Sequence, residues 1–400
     1  MRALLTVHRH RIRCRRVCCR QLKVGFVKLN IGLALSATAV AALTLSACGS
    51  DNNTPVGGSA SGTAATGASG ADCAGKNSIT AEGSTAQQNA VALFNQVWGQ
   101  ACPGKNLSYN PTGSGAGREQ FIAKNVDFAG SDSALKDDQI AAAAARCGGN
   151  PAWHLPLVFG PIAMAYNLDG VDGLVLNGDT LAKIFSGQIA KWNDPAIAAL
   201  NAGKTLPDTA ITPIFRSDSS GTTDNFQKYL TAAAPESWTK GAGSEFQGGA
   251  GEGAQKSAGV AQAVQATPGA IGYVEKGFAD QAGLPYAQID SGAGAVELTD
   301  ESAGKAIDAV EISGEGNDLV LDLNSLYGTK EAGAYPLVLA TYNIVCSDGY
   351  DADTAAAVRS FLTVAANEGQ GGLSAAGYVP LPDQFKQRLL TSVEAIGPAA

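Results

Sequence analysis

The densest run of chemically able side chains is Phe215-Arg-Ser-Asp-Ser-Ser-Gly-Thr-Thr-Asp-Asn-Phe226. It follows an apolar run, Thr212-Pro-Ile-Phe215, and leads into a segment where Phe226, Tyr229 and Leu230 share one face at helical spacing. A strand, a polar turn and a helix are expected in that order. Helix N-termini leave backbone N–H groups without partners and carry a partial positive charge, so a turn of this kind suits an anion. Arg216 adds a planar fork matched to oxyanion oxygens, and Asp218, two residues on, can hold that fork in place.

Three further turns have a similar make-up: Gly83-Ser84-Thr85-Ala86, Thr112-Gly-Ser114-Gly-Ala-Gly117 and Gly130-Ser-Asp132. Glycine lets a backbone come close, and Ser or Thr hydroxyls add donors without adding net charge. Taken singly, each turn reads as an ordinary helix cap, and Ser84 to Gln87 even fits a capping box. Taken together with Arg216 and Asp132, the four turns can enclose a small oxyanion.

The formal net charge of −8 conceals a division along the chain. Residues 1–47 hold nine basic residues and no acidic one; 28 less nine leaves 19 basic against 36 acidic beyond them, a net of −17. An acidic body of this kind argues against nucleic acid as a partner, because binding a phosphate backbone needs a basic footprint. Net charge at a distance is screened within about 10 Å, so the local dipoles of the turns still decide whether an anion is held.

Lys23 and Lys28 precede an uncharged run of 19 residues, 29–47, which Cys48 follows at once. A basic segment, an apolar segment and small residues before a cut form the export-signal pattern. A membrane span needs about 20 apolar residues, and this run is diluted with Ala and Thr. Leu45-Ser-Ala-Cys48 resembles the bacterial lipobox, whose cysteine is acylated and becomes the new N-terminus. Residues 1–47 are therefore expected to be a signal peptide. Cys48 is the expected lipidation site, residues 48–71 a Gly/Ser/Ala/Thr tether, and the location the outer face of the cell membrane.

Cys73, Cys102, Cys147 and Cys346 remain in the exported body, an even number suited to disulfides, with three pairings open. It holds no CxxC pair, which argues against zinc, and no metal site is expected.

From residue 78 onward, apolar runs, Gly/Ser turns and Ala-rich stretches alternate, the pattern of an α/β fold. Residues 78–101 read as a strand, a turn and a helix with Ala90, Leu93, Phe94 and Val97 on its buried face; residues 107–123 and 126–145 repeat the plan. Two longer runs, 154–168 and 334–346, look alike, each beginning X-Pro-Leu-Val and continuing as a fully buried strand. They read either as two crossings between domains or as two core strands of one sheet. If they run antiparallel, Cys147 and Cys346 approach one another, which favours Cys147–Cys346 with Cys73–Cys102.

The segments GSTAQQNAVALF (83–94), PTGSGAGREQFIA (111–123), VDFAGSD (126–132), KIFSGQIAKWNDPAI (183–197), FRSDSSGTTDNF (215–226) and PGAIGYVE (268–275) resemble the PstS family, the phosphate-binding proteins of the bacterial phosphate ABC transporter. The resemblance spans about residues 75–393, and the lipobox with two cysteine pairs is most similar to the lipoprotein members from mycobacteria and related actinobacteria. It implies the type II periplasmic-binding-protein fold, two α/β domains joined by a two-strand hinge. Residues 72–167 with 343–400 would form domain I and residues 168–342 domain II. It also implies high-affinity binding of inorganic phosphate between the domains and delivery to the transporter's membrane subunits, with no cofactor and with a monomer as the expected state. Carried over by position, the phosphate contacts are Thr85, the N–H of Ala86, Ser114, Asp132, Arg216, Ser220, the N–H of Gly221, and Thr222, with Asp218 orienting Arg216. Many members have a larger residue at Ala86, where the implied contact is a backbone N–H.

Asp132 bears on selectivity. A carboxylate has only acceptors and needs a proton on its ligand. Phosphate brings one at neutral pH and sulfate does not, so Asp132 is expected to reject sulfate.

Three rival functions remain in view. An enzyme is disfavoured: His154, in an apolar strand, reads as a satisfied core histidine, no GxSxG surrounds Ser114 or Ser220, and clustered metal ligands are missing. Residues 198–205 approach a P-loop, but Ala198 replaces its first glycine. A binder of another oxyanion, such as sulfate, molybdate or a phosphonate, would share the fold and have similar turns, with Asp132 as the discriminating feature. A phosphate-sensing or adhesion lipoprotein would keep the contacts and differ in partner.

Overall fold

A computed structural model of the chain describes residues 71–399. The expected signal peptide, Cys48 and the expected tether up to residue 70 lie outside the described residues. The first strands are β1 (Ser78–Gly83), β2 (Asn106–Pro111) and β3 (Phe128–Ser131), paired in parallel with β1 in the middle. Parallel neighbours need crossovers, which the helices Gln88–Ala101 and Ser114–Ile122 provide. The buried face of the first helix is carried by Ala90, Val91, Phe94 and Trp98, while Leu93 and Val97 are only partly buried. The expected face is thus rotated, because Trp98 is drawn under the helix Ala352–Asn367, where its indole meets Phe361 and donates to Ser360 at 3.0 Å.

The remaining strands are β4 (Ala152–Tyr166), β5 (Val175–Leu176), β6 (Thr212–Arg216), β7 (Glu252–Ala254), β8 (Ala270–Glu275), β9 (Gln288–Asp290), β10 (Ala295–Val296), β11 (Glu311–Ile312), β12 (Leu321–Asp322) and β13 (Val338–Cys346). Eight of them form one sheet in the order β2-β1-β3-β13-β4-β8-β6-β7; β10-β9-β5 and β11-β12 form small separate sheets.

The two apolar runs are β4 and β13, adjacent and antiparallel from Val338 opposite Pro161 to Cys346 opposite Ala152. They are neighbouring core strands of one sheet, and β4 runs on beyond β13: its first part pairs with β13 and its last part, Ile162–Tyr166, pairs with β8. Proline cannot donate to a ladder and sits in strands only at edges, ends or irregularities. Pro156 lies at the register shift opposite Thr341/Tyr342, and Pro161 lies at the end of the β13 pairing.

Two disulfides close the half that holds β1 to β3. Cys73 bonds Cys102, and Cys147 bonds Cys346 across 199 residues of sequence, tying the end of the helix Asp137–Arg146 to the end of β13. The turns seen in the sequence all lie where strands of the large sheet give way to helices. Gly83 has φ of +139° and an added Cβ there would meet the Gly130 carbonyl oxygen at 2.0 Å, so β1 and β3 can close together only over glycine.

Candidate functional site

Arg216 ends β6 and is 2% exposed. Its Nε donates to Asp218 Oδ1 at 2.8 Å and Nη2 donates to Oδ2, a fork-to-fork pair. Asp218 is fixed in turn by the backbone N–H of Lys256 at 3.0 Å. Burial alone would lower the Arg216 pKa, but the Asp218 bonds outweigh it and hold the guanidinium firmly charged. Burial likewise pushes Asp218 up, and the Arg216 bonds overcome this to leave its pKa lowered. Nη1 is turned to Thr222 Oγ1 at 3.4 Å and Ser257 Oγ at 3.3 Å. Ser220 caps the helix Gly221–Ala233 by accepting from the Thr223 N–H.

Asp132 follows β3 and faces this group from the other half of the sheet. Its Oδ1 accepts the hydroxyls of Ser84 at 2.6 Å and Thr341 at 2.7 Å, and its Oδ2 accepts Ser114 at 3.0 Å. Burial raises its pKa to about 6 despite the Ser84 and Thr341 bonds, and the charge of Glu275 adds to the rise. A carboxylate has about four lone-pair positions. Three are filled by hydroxyls, which leaves one on Oδ2 able to accept a proton and nothing able to donate.

The two halves meet directly. The Gly115 N–H donates to the Ser219 carbonyl at 3.1 Å, Asn225 Nδ2 donates to the Asp132 carbonyl at 2.6 Å, and Arg118 Nη2 donates to Ser244 Oγ at 3.2 Å. Thr85 Oγ1 and Ser257 Oγ are hydrogen-bonded at 2.8 Å, either hydroxyl able to donate, and Ser133 Oγ donates to Asp224 at 2.5 Å. Asp132, Ser114 and Gly221 therefore stand in one contact, with Arg216 and Thr222 in a second that Ser257 links to Thr85. Ser114 gives its hydroxyl proton to Asp132. The Ala86 N–H donates to Ser84 Oγ at 3.1 Å. The reciprocal capping box read at Ser84 is absent: the helix begins at Gln88, and the Gln87 side chain donates to Tyr109 instead.

Sequence reasoning passed over Ser257, Thr341, Glu275 and Arg118. Ser257 begins the helix Lys256–Ala266, inside a glycine-rich segment with no periodicity to read. Thr341 sits in an apolar strand, and its role appears only once β13 is laid beside β3. Glu275 ends β8, is fully buried, and accepts Thr222 Oγ1 at 2.6 Å. Arg118, 1% exposed, donates to Ser131, Gln139 and Ser244, and burial lowers its pKa.

His154 is satisfied on both ring nitrogens, Nε2 accepting from the Leu135 N–H at 2.9 Å and Nδ1 facing Asp318 at 2.8 Å. Lys204, the lysine of the near P-loop, donates instead to the carbonyls of Asp172 and Gly173. Among the described residues no group of three His, Cys, Asp or Glu side chains could hold a metal ion, and no helix is long and apolar enough to cross a membrane.

Residues 57–368 match the model of the PBP superfamily domain. Phosphate-binding protein PstS 3 of Mycobacterium tuberculosis is 52% identical over 373 residues, covering 92% of this chain and 100% of that one. Phosphate-binding protein PstS of Pasteurella multocida is 34% identical, covering 72% of this chain and 81% of that one. Among solved structures, a high-affinity periplasmic phosphate-binding protein, PfluDING, bound with phosphate aligns with a TM-score of 0.63 at 22% identity, covering 80% of this chain and 99% of that one. A phosphate-binding protein from Stenotrophomonas maltophilia aligns with a TM-score of 0.62 at 22% identity, covering 79% and 94%. At these identities the structures speak for the fold alone.

Proposed function

This chain belongs to the PstS family of the periplasmic-binding-protein superfamily, and we propose that it captures inorganic phosphate between its two domains and delivers it to a phosphate-import ABC transporter. The observation that carries this reading is the Asp132 carboxylate, filled by three hydroxyls and left with one lone-pair position beside the N-terminus of the helix Gly221–Ala233. Such a group accepts from a protonated oxyanion, while Arg216, held flat by Asp218, and the N–H groups at the helix start donate to the oxyanion's bare oxygens.

Residues 72–167 with 343–400 are domain I in this reading and supply Thr85, the Ala86 N–H, Ser114 and Asp132. Residues 168–342 are domain II and supply Arg216, Ser220, the Gly221 N–H and Thr222. A ligand touching both sets stabilises the closed form by its extra contacts there, which is the form the transporter's membrane subunits then read. The exported protein is a monomer held at the outer face of the cell membrane by a lipid on Cys48. Its work is binding, with no reaction catalysed.

Titration calorimetry on the protein in detergent, freed of bound ligand by unfolding and refolding, tests the reading with phosphate and then sulfate. One-to-one phosphate binding without a sulfate response is expected. A folded sample that ignores phosphate would refute the function, and equal binding of sulfate would remove Asp132 as the selector.

A further inference from the structure

Glu275 has no part in the clamp just described, yet it is a fully buried carboxylate at its edge. Oε1 accepts the Thr222 hydroxyl at 2.6 Å, and Oε2 is buried without a hydrogen-bond partner. A buried carboxylate oxygen left unmatched is costly, and a second proton donor would relieve it.

The groups around Glu275 do not supply that proton. Arg216 faces it from β6, but Nε and Nη2 are taken by Asp218. Asp132 faces it from the turn after β3 with like charge. Tyr378 lies near it and gives its hydroxyl proton to the Ala86 carbonyl at 2.7 Å. Tyr273, on its own strand, shares its hydroxyl with Thr223 and the Arg216 N–H. The neighbouring Lys276 turns its ammonium to Asp280 at 2.7 Å.

Thr222 carries the consequence to the ligand. Its one hydroxyl proton goes to Glu275, and Arg216 Nη1 donates to it from 3.4 Å. Towards a ligand, Thr222 Oγ1 therefore presents a lone pair. Asp132 Oδ2 presents another from the opposite side, so the cleft has two acceptors where a single protonated oxygen would satisfy one.

We propose, resting on the phosphate reading above, that Glu275 is a specificity determinant which makes the cleft select the doubly protonated, monobasic form of its tetrahedral oxyanion. One ligand O–H is accepted by Asp132, and the second by the Thr222–Glu275 pair. The remaining two oxygens take the Arg216 and backbone donors.

Proton counting tests this. Phosphate is titrated into the protein in detergent at about pH 8.5, where the free ligand is mostly dibasic, in two buffers of different ionisation enthalpy. Asp132 alone is content with the dibasic ion, so a proton uptake that depends on Glu275 reports the second acceptor. The wild type is expected to take up about one proton per phosphate and to lose affinity about tenfold per pH unit above the ligand's second pKa. Glu275→Gln, whose amide N–H2 can donate to Thr222 Oγ1 and free the Thr222 proton for the ligand, is expected to take up almost none and to show a flat profile. A wild-type count near zero overturns the proposal whether or not the variant folds, and so does an uptake that Glu275→Gln leaves unchanged. Absence of phosphate heat at any pH would instead count against the phosphate reading itself.

Discussion

Gly221 lies so close to Asp132 that a methyl group in place of its hydrogen would sit 2.5 Å from the Asp132 Cβ and 2.5 Å from Ser114 Oγ. The two residues come from opposite halves of the large sheet, so this contact measures how tightly the halves meet. Gly221→Ala has room only if the halves separate. Its helical position tolerates alanine well, so the fold should survive. Phosphate affinity is expected to fall by about a hundredfold or more, because a misfit of this size in packed structure costs roughly 1–3 kcal/mol and the ligand contacts are lost with it. Calorimetry beside a thermal melt decides: unchanged affinity would mean that the halves do not meet this closely when ligand binds.

Asp132 makes a prediction about pH in the ligand-free protein. Its pKa is raised in the fold from 3.8 to about 6, chiefly by burial. Between those values the native state binds more protons than the unfolded state, so stability falls as pH rises through the window. The penalty is full above the raised pKa and on the order of 3 kcal/mol. Asp132→Asn lacks it. Relative to that variant, the wild type should gain stability as pH is lowered from about 7 to about 4 in denaturant titrations. Parallel pH profiles for the two proteins would show that Asp132 is not the buried acid described here.

The variant also tests selectivity. An amide offers a donor where the carboxylate offered an acceptor, so Asp132→Asn should bind sulfate and lose phosphate preference by about a hundredfold or more. Competition between the two ions measures it directly, and an unchanged preference would place the selection elsewhere.

Arg216 and Asp218 act as a unit. Arg216→Lys keeps a positive charge but cannot make the two parallel bonds to Asp218 while also reaching Thr222 and Ser257. Phosphate affinity is expected to drop by about two decades, mostly through faster release. Asp218→Asn leaves the charge of Arg216 and loosens its fork, so a smaller drop is expected. Equal affinities for Arg216→Lys and the wild type in stopped-flow release would show that a point charge suffices.

The disulfides differ in what they constrain. Cys147–Cys346 closes 199 residues and Cys73–Cys102 closes 29. In the chain-entropy account the longer loop is worth about 5 kcal/mol and the shorter about 4. Replacing Cys147 and Cys346 together by serine should lower the denaturant midpoint more than replacing Cys73 and Cys102. The reverse order would point to strain or residual structure rather than loop entropy.

Much of the candidate site has a local signal in the sequence. Arg216, Asp218 and Ser220 lie within five residues, and a strand, a polar turn and a helix start have recognisable signals. The α/β alternation and the twin strands were legible for the same reason: buried strands and helix faces leave periodic patterns. What stayed hidden depends on tertiary placement. Thr341 reaches Asp132 across 209 positions, and Glu275 reaches Thr222 across 53. Neither has a local reason to be polar in an apolar strand. The helix face around Trp98 was rotated by a partner that lies 263 positions further on, Phe361.

Ser257 is the sharpest case of the hidden kind and the easiest to test. It is 1% exposed, its Oγ lies 2.8 Å from Thr85 Oγ1 and 3.3 Å from Arg216 Nη1, and those two partners belong to opposite halves of the sheet. Ser257→Ala leaves a buried hydroxyl and one arm of a buried guanidinium each short of a partner, at a cost of about 1–3 kcal/mol. In the proposed site ligand supplies other partners to both groups, so part of that cost would be recovered on binding and the variant should close less readily without ligand than with it. Small-angle scattering of the ligand-free protein is expected to show a larger radius for Ser257→Ala than for the wild type, converging once phosphate is added. Identical scattering in the ligand-free state would mean that the Thr85–Ser257 bond does not help hold the halves together.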